Sequence, residues 1–371
     1  MKNILIFHFD LQGGGAERVL VNLLNHLDPT KYNITLRVLF GVGTNLKQMP
    51  PNVHFRPVFR KLFRGLPTIL KIFSGKFLYR LFVRNKYDIE IAYLETLPTR
   101  IIAYSTNTES RKLAWVHTTM NEKYPYARCF RNLREATNCY NKFDRILFVS
   151  QGTLDAFNRY LPDVNAPKSV IYNVNDYDII KELAEEPIEN GVINSSHFNI
   201  CAVGRLIKLK GYDRLIKAFA RVKQEDKYLD AELFIIGQGE EQNSLEALIE
   251  DEDLSQSVHL LGFKDNPYKF LAKMDLFVCS STIEGYSTVV TEAISLGVPV
   301  ITTNCSGMDE ILHDGKYGLI VDNSEDALYQ GLKKIVNSQD LLIKYREAIS
   351  KDSTYSTQTF VKRYEKLFDE L

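Results

Sequence analysis

The chain has 371 residues and a mass of 42.6 kDa; 45% of the residues are apolar and 25% charged, proportions that exclude a disordered, collagenous or coiled-coil chain. At roughly 150 residues per domain, that length suits two cores rather than one. The formal charge is zero, yet residues 1–170 hold 25 Lys/Arg against 12 Asp/Glu while the remainder holds 21 against 34, so a half of +13 is joined to a half of −13, and the basic half is drawn to something anionic.

In chain order, residues 3–9 read as a buried strand. Their apolar run 4–7 is broken by His8 and Asp10, too short for a signal-peptide core. Residues 16–27 read as a helix with Val19, Leu20, Leu23, Leu24 and Leu27 on one side, and 34–40 and 53–58 as strands. Strands at 89–94, 112–117 and 145–150 then alternate with helices at 97–104, 129–142 and 151–160, and another strand ends at 171–173. The second half repeats the alternation, with strands at 200–203, 232–236, 258–262, 276–279, 300–302 and 319–321 and the clearest helices at 212–220 and 288–296. Short buried strands separated by helices predict two doubly wound parallel sheets, each with both faces covered, facing each other across a cleft. The joint falls in the polar segment at 170–197, and a last helix over 357–371 carries Phe360, Tyr364, Leu367, Phe368 and Leu371 on one side. No uncharged run approaches the ~20 apolar residues that span a bilayer.

The basic excess is concentrated. From Arg56 to Lys86 there are nine Lys/Arg and no acid, interleaved with Phe55, Phe59, Phe63, Phe73, Phe77 and Phe82. Such a stretch can lie on an anionic membrane surface, with Arg60, Lys61, Arg64, Lys71 and Arg80 at the headgroups. A reading placed slightly behind packs the aromatics into the core beneath a solvated cationic face. Nucleic-acid binding ranks behind both and is not expected. The five cysteines are scattered, without Cys-x-x-Cys spacing, and read as buried reduced thiols of a cytoplasmic protein rather than as a zinc or disulfide framework.

Three motifs carry chemistry. Gly13-Gly14-Gly15 follows the first strand and opens the first helix, so amides at Gly14 and Gly15 can approach a phosphate closely; the same turn also serves as plain chain reversal. It is neither a Walker loop nor a dinucleotide fingerprint. In Gly204-Arg205-Leu206-Ile207-Lys208-Leu209-Lys210-Gly211, again between strand and helix, a guanidinium fork at Arg205 and a compact ammonium at Lys210 suit a diphosphate. The third, Glu284-Gly285-Tyr286-Ser287 running into a helix that contains Glu292, puts one carboxylate in a loop and a second about two helical turns on. Amides of Gly285, Tyr286 and Ser287 can hold an anion or a hydroxyl group. Glu292 lies among Val289, Val290, Ala293 and Ile294, which predicts burial and a partner.

This order of motifs, with Gly237-Gln238-Gly239 and two glutamates eight positions apart at 284 and 292, resembles glycosyltransferase family 4 of the bacterial cell-surface polysaccharide type, over essentially the whole chain. The resemblance implies the GT-B fold: an acceptor-binding Rossmann-like domain over 1–172, a nucleotide-sugar donor domain over 173–355, and a terminal helix over 356–371 crossing back to the first. It implies that Arg205 and Lys210 bind the donor diphosphate, Glu292 the ribose, Gly262 and Phe263 the base, and Glu284 and His117 the donor sugar. Tyr286 stands where phenylalanine is commoner, Gln238-Gly239-Glu240 where Asp-Gly-Pro is, and Cys305-Ser306-Gly307 lacks the family's double glycine. The implied reaction moves a hexosyl group from a nucleotide sugar, most simply a UDP-sugar, to a glycan or polyprenyl-diphosphate-linked acceptor with retention at the anomeric carbon. No metal or other cofactor is expected; Asp176-Tyr177-Asp178 reads as a linker turn and not a metal motif. The expected place of work is the inner face of the plasma membrane. A nucleotide-sugar epimerase or a non-catalytic nucleotide-sugar-binding subunit are the alternatives.

Overall fold

The computed structural model describes residues 1–12, 14–63, 65–120, 129–189, 191–225 and 230–371. They form two units: residues 1–175 with 358–371, and residues 176–357. By sequence the first unit carries 28 Lys/Arg against 15 Asp/Glu and the second 18 against 31, so the charge asymmetry follows the units.

Alternating buried runs give the first unit a seven-stranded sheet: β1 (Lys2–His8), β2 (Tyr32–Phe40), β3 (His54–Phe59), β4 (Ile89–Ala92), β5 (Arg111–Val116), β6 (Arg145–Phe148) and β7 (Lys168–Val170). All pairs are parallel, in the order β3-β2-β1-β4-β5-β6-β7. The second unit has six strands, β8 (Phe198–Val203), β9 (Ala231–Ile236), β10 (Val258–Gly262), β11 (Leu276–Cys279), β12 (Val300–Thr303) and β13 (Gly318–Val321), in the order β10-β9-β8-β11-β12-β13 and again all parallel. Each sheet is doubly wound, and the direction of winding reverses between β1 and β4 in the first and between β8 and β11 in the second. Loops at those two reversals diverge above and below the sheet, and the gap between them is where such folds bind ligands.

The terminal helix Thr357–Glu370 belongs with the first sheet. Its Tyr364 ring stacks on Trp115 at 5.3 Å, its Tyr364 hydroxyl donates to the Tyr172 carbonyl, and Lys2 Nζ donates to the Phe368 carbonyl at 2.7 Å. Burial of Phe360, Val361, Leu367 and Phe368 on the same side fixes it there.

The sequence expectations differ from the structure in a few places. The helix expected over 129–142 spans Leu133–Tyr140, because Asn132 caps it by accepting from the Glu135 N–H at 2.9 Å. The joint contains a helix, Tyr177–Ala184, where a turn was expected; Asp176 is its cap, accepting from Ile179 N at 3.2 Å, which accounts for the Asp-x-Asp pattern without a metal. The strand expected to reach 173 stops at Val170. All five cysteines are free thiols, four of them buried and Cys129 partly so.

Residues 66–82 hold two short helices, Leu66–Leu70 and Gly75–Phe82. The link between them is gripped by two arginines. Arg100, fully buried, donates to the carbonyls of Leu70, Lys71 and Phe73 and pairs through Nε with Glu135 at 3.0 Å. Arg131 donates to the carbonyls of Lys71, Ile72 and Phe73. Only a planar fork reaches several carbonyls and a carboxylate at once. Arg100→Met should therefore cost roughly 3 kcal/mol in urea unfolding, and Arg100→Lys should recover less than half of it, since an ammonium cannot span the same acceptors.

Candidate functional site

In the second unit the reversal between β8 and β11 brings together the loop after each strand. The Thr282 N–H donates to the Leu209 carbonyl at 2.8 Å and the Ser280 hydroxyl to the Lys210 carbonyl at 2.8 Å, so the two loops are zipped together. Glycine permits the close approach. Gly211, at φ +62°, ends the short helical turn Lys208–Lys210 against the Ser280 carbonyl, and Gly237, at φ +151°, lies where any Cβ would strike the Gly204 carbonyl.

On this base Lys210 Nζ meets Glu284 Oε1 at 2.6 Å, and the Ser281 hydroxyl donates to the same oxygen at 2.6 Å. Burial works against the Lys210 charge, but the Glu284 carboxylate outweighs it and raises the pKa above its ordinary value. The ammonium is thus charged at every physiological pH. Arg205 is exposed, acts electrostatically against Lys210, and has no ion pair among the described residues. Two cations converge here and only one has a counter-charge.

The remaining expected residues of this unit stand at the same carboxyl end. Gly285, Tyr286 and Ser287 are buried between Glu284 and the helix Thr288–Ser295, which starts at Thr288. Glu292 therefore lies in the second turn of that helix, not two full turns beyond Glu284, and is 4% exposed, in keeping with its apolar neighbours. Gly262 ends β10 with φ +69°, and the Phe263 ring beyond it is 61% exposed, an aromatic face open to stacking. Sequence reasoning missed Arg214 and Thr303, which hold the Glu284 loop by its carbonyls: Arg214 Nε on Ser280 at 2.9 Å, Thr303 Oγ1 on Ser281 at 2.6 Å. Neither sits in a motif, because each acts through a contact that exists only in three dimensions.

In the first unit the reversal between β1 and β4 gathers His8, Tyr93 and His117. Tyr93 lies 5.8 Å from His8 and 4.6 Å from His117, ring centre to ring centre. Both imidazoles are buried, and neither has a hydrogen-bond partner on either nitrogen among the described residues. Burial pushes the His8 pKa down to about 4 and, with the neighbouring His8, that of His117 down to about 3, so both rings are neutral at physiological pH. Glu95, also buried, accepts from the His117 N–H at 2.9 Å and from the Thr118 hydroxyl, and burial raises its pKa to about 7. His8 and Glu95 were not anticipated; a histidine closing the first strand was the one available signal.

Gly14 caps the helix Gly15–His26 with extended backbone, and the Glu17 carboxylate folds back over it, so the expected phosphate turn has an acid of its own chain beside it. Of the basic surface, Arg60, Lys61 and Arg80 are exposed and Lys71 is half-buried. Gly13 and Arg64 lie outside the described residues. The aromatic interleave divides: Tyr79 and Phe82 enter the core, while Phe63, Ile69, Ile72, Phe73, Phe77 and Leu81 are exposed. Among the described residues no helix is long and apolar enough to cross a membrane, and no cluster of His, Cys, Asp and Glu is placed to hold a metal ion.

Two doubly wound parallel sheets in tandem, the second with a cation–carboxylate pair over its reversal, define the GT-B class of group-transfer proteins. Residues 13–178 match the family model "Glycosyltransferase Family 4" and residues 184–354 the model "Glycosyl transferases group 1". The chain belongs to this family and is a glycosyltransferase. Among its relatives is the Campylobacter jejuni N-acetylgalactosamine-N,N'-diacetylbacillosaminyl-diphospho-undecaprenol 4-alpha-N-acetylgalactosaminyltransferase, 28% identical over 93% of each chain. The Rhizobium meliloti lipopolysaccharide core biosynthesis glycosyltransferase LpsE is 32% identical over 40% of this chain and 42% of its own. In fold the chain is similar to Anabaena HepE, with a TM-score of 0.78 at 21% identity over all of both chains, and to WaaG, with a TM-score of 0.72 at 16% identity over 98% and 99%.

Opposing titrations in the first unit give a pH test. The histidines bind protons more weakly folded than unfolded, so stability present above pH 6.5 is lost as pH falls toward their folded values. Between pH 6.5 and 5 that is about 2 kcal/mol for each. Glu95 binds its proton more tightly when folded, so its contribution grows as pH falls from about 7 toward 4.5 and offsets part of the loss. Glu95→Gln keeps an acceptor for the His117 N–H and removes the offset. Its stability by urea unfolding should drop between pH 7 and 5 by about 2–3 kcal/mol more than the wild type's.

Proposed function

We propose that the chain transfers a hexosyl group from a UDP-sugar to a hydroxyl of a glycan carried on a polyprenyl diphosphate, with retention at the anomeric carbon and without a metal. The observation that carries this reading is the pairing of Lys210 with Glu284 beside an Arg205 that has no counter-charge, at the carboxyl ends of β8 and β11. A diphosphate supplies the charge that Arg205 lacks and offers Lys210 a second partner. Support for the donor comes from Anabaena HepE, which is described in complex with UDP and with UDP-glucose, and from TarM, in complex with UDP. Support for the acceptor comes from the Campylobacter relative, whose name specifies a diphospho-undecaprenol substrate.

The chemistry follows from the charges. The bond between the sugar's anomeric carbon and the β-phosphate oxygen breaks, the electron pair leaving with the nucleoside diphosphate. A new bond forms from the acceptor oxygen to the same face of that carbon, and the acceptor proton passes to the departing phosphate. Negative charge grows on the phosphate as the bond breaks, so Arg205 and Lys210 stabilise the transition state more than the bound donor. Glu284, already held by Lys210 and Ser281, orients the sugar and is not a nucleophile. Glu292 receives the ribose hydroxyls, Phe263 stacks on the base beside Gly262, and amides at 285–287 hold the sugar. His117 meets the sugar as a neutral imidazole. Gly14 and Gly15 approach the phosphates once the Glu17 side chain swings aside.

Lys210→Ala should lower kcat/KM for UDP-sugar turnover by roughly 10²–10³-fold with little change in melting temperature; undiminished turnover would overturn the phosphate role. The donor itself is found by thermal shift against a panel of nucleotide sugars, since a matching ligand stabilises the folded state by mass action.

The exposed apolar side chains of residues 63–81, flanked by Arg60, Lys61, Lys71 and Arg80, make the membrane reading the better account of the basic segment. The Phe73 and Phe77 rings stack at 5.4 Å on the outside of the unit, where they enter an acyl boundary while the cations meet headgroups. The protein then works peripherally at the cytoplasmic face of the plasma membrane. Flotation with phosphatidylglycerol vesicles checks this: Gln at positions 60, 61, 64, 71 and 80 should remove most of the bound protein, and unchanged recovery would refute it.

A further inference from the structure

A second basic feature of the first unit has no place in donor chemistry. β2 and β3 pair in parallel at the edge of the sheet, and their register sets Arg37 directly beside Arg56. Like charges opposite one another on neighbouring strands destabilise a sheet. Arg84, just beyond the helix Gly75–Phe82, adds a third cation: burial first, and then Arg84 and Arg56, all work against the Arg37 charge, with only Tyr87 in its favour. Arg37 is half-buried, and its Nε is a buried donor without a hydrogen-bond partner among the described residues. An orphan of this kind is a cost to folding, because its hydration is lost and not replaced.

Four other arginines of this unit are satisfied. Arg100 has Glu135, Arg111 has Asp144 at 3.2 Å, Arg145 has Glu370 at 3.9 Å, and Arg131 has three carbonyls. Arg37, Arg56 and Arg84 have no ion pair among the described residues. A guanidinium group with a buried idle donor, set at a sheet edge against two more that oppose its charge, is a poor arrangement for folding and a good one for a multivalent anion. Guanidinium forks match phosphate oxygens in geometry as well as in charge.

We infer that Arg37, Arg56 and Arg84 form a binding site for a phosphate-class polyanion, in a different unit from the Lys210 site. The shared chemistry is a phosphate or diphosphate group, presented either by a soluble molecule or by a lipid headgroup. The inference does not rest on the transfer reaction, and a chain without turnover would still show it.

The test uses the full chain with Lys210→Ala, so that the donor site contributes little, and inorganic pyrophosphate as the probe in thermal shift at low salt. Pyrophosphate should raise the melting temperature of this chain. Adding Arg37→Gln and Arg56→Gln should weaken half-saturation at least tenfold, while the melting temperature without anion stays equal or rises because the repulsion is relieved. Flotation with phosphatidylcholine vesicles containing phosphatidylglycerol separates the sources. If the two Gln substitutions also reduce vesicle binding, the site reads headgroups; if they leave it intact, it reads a soluble diphosphate. No pyrophosphate response in the Lys210→Ala chain, an unchanged response in the triple variant, or a melting temperature lowered by the Gln substitutions without anion would each overturn the inference.

Discussion

An ammonium held against a carboxylate, over the place where the second sheet reverses its winding, is the contact on which the rest turns. Removing both charges from water is costly, and a lone ion pair seldom repays that cost. The pair between Lys210 and Glu284 is nonetheless supported from all sides: Ser281 on the carboxylate, the Lys210 carbonyl tied to Ser280, and Arg214 and Thr303 on the carbonyls of residues 280 and 281. That much support for a single contact indicates a geometry kept for chemistry rather than for stability. Arg205 completes the picture, since a third ionic group without a counter-charge leaves the cluster with a net positive charge toward solvent.

The parallel sheets were legible because their strands are buried on both faces and read as short continuous apolar runs between helices; 258–262 and 276–279 match the structure residue for residue. The donor-side residues were legible because they cluster in sequence as well as in space. Elsewhere the signal failed where a residue's partner lies far away in the chain. Glu95 is an acid in a loop until the fold sets it against the N–H of residue 117, just past the end of β5. Arg100 looks like a helix-surface cation until it is found among the carbonyls of residues 70–73. Asp176 reads as part of a turn because a carboxylate that caps a helix and one that closes a turn look alike in sequence.

The charge asymmetry has a physical reading now that the units are known. The first unit, at +13, is not evenly basic; nine of its 28 Lys/Arg fall in the segment 56–86, where acids are absent. Some serve structure, as Arg100 and Arg131 do by pinning the link between two short helices. That pinning keeps Ile72 and Phe73 outside, 74% and 42% exposed, against the tendency of such side chains to turn inward. An apolar surface held open by the buried Arg100 and by Arg131 is directed at something outside the molecule.

The two units also differ in what kind of polar group they offer. The first buries His8 and His117 so completely that neither ring carries charge near neutral pH, and His8 lowers the proton affinity of His117 further. A neutral imidazole with both nitrogens idle can donate one hydrogen bond and accept another, which reads hydroxyl groups well and phosphate charge badly. The second unit does the reverse: its lysine is held in the charged form by a carboxylate, beside an exposed arginine. The second unit thus offers fixed positive charge, while the buried imidazoles of the first offer neutral hydrogen-bonding groups. Burial of the histidines, not their presence, is what makes that difference.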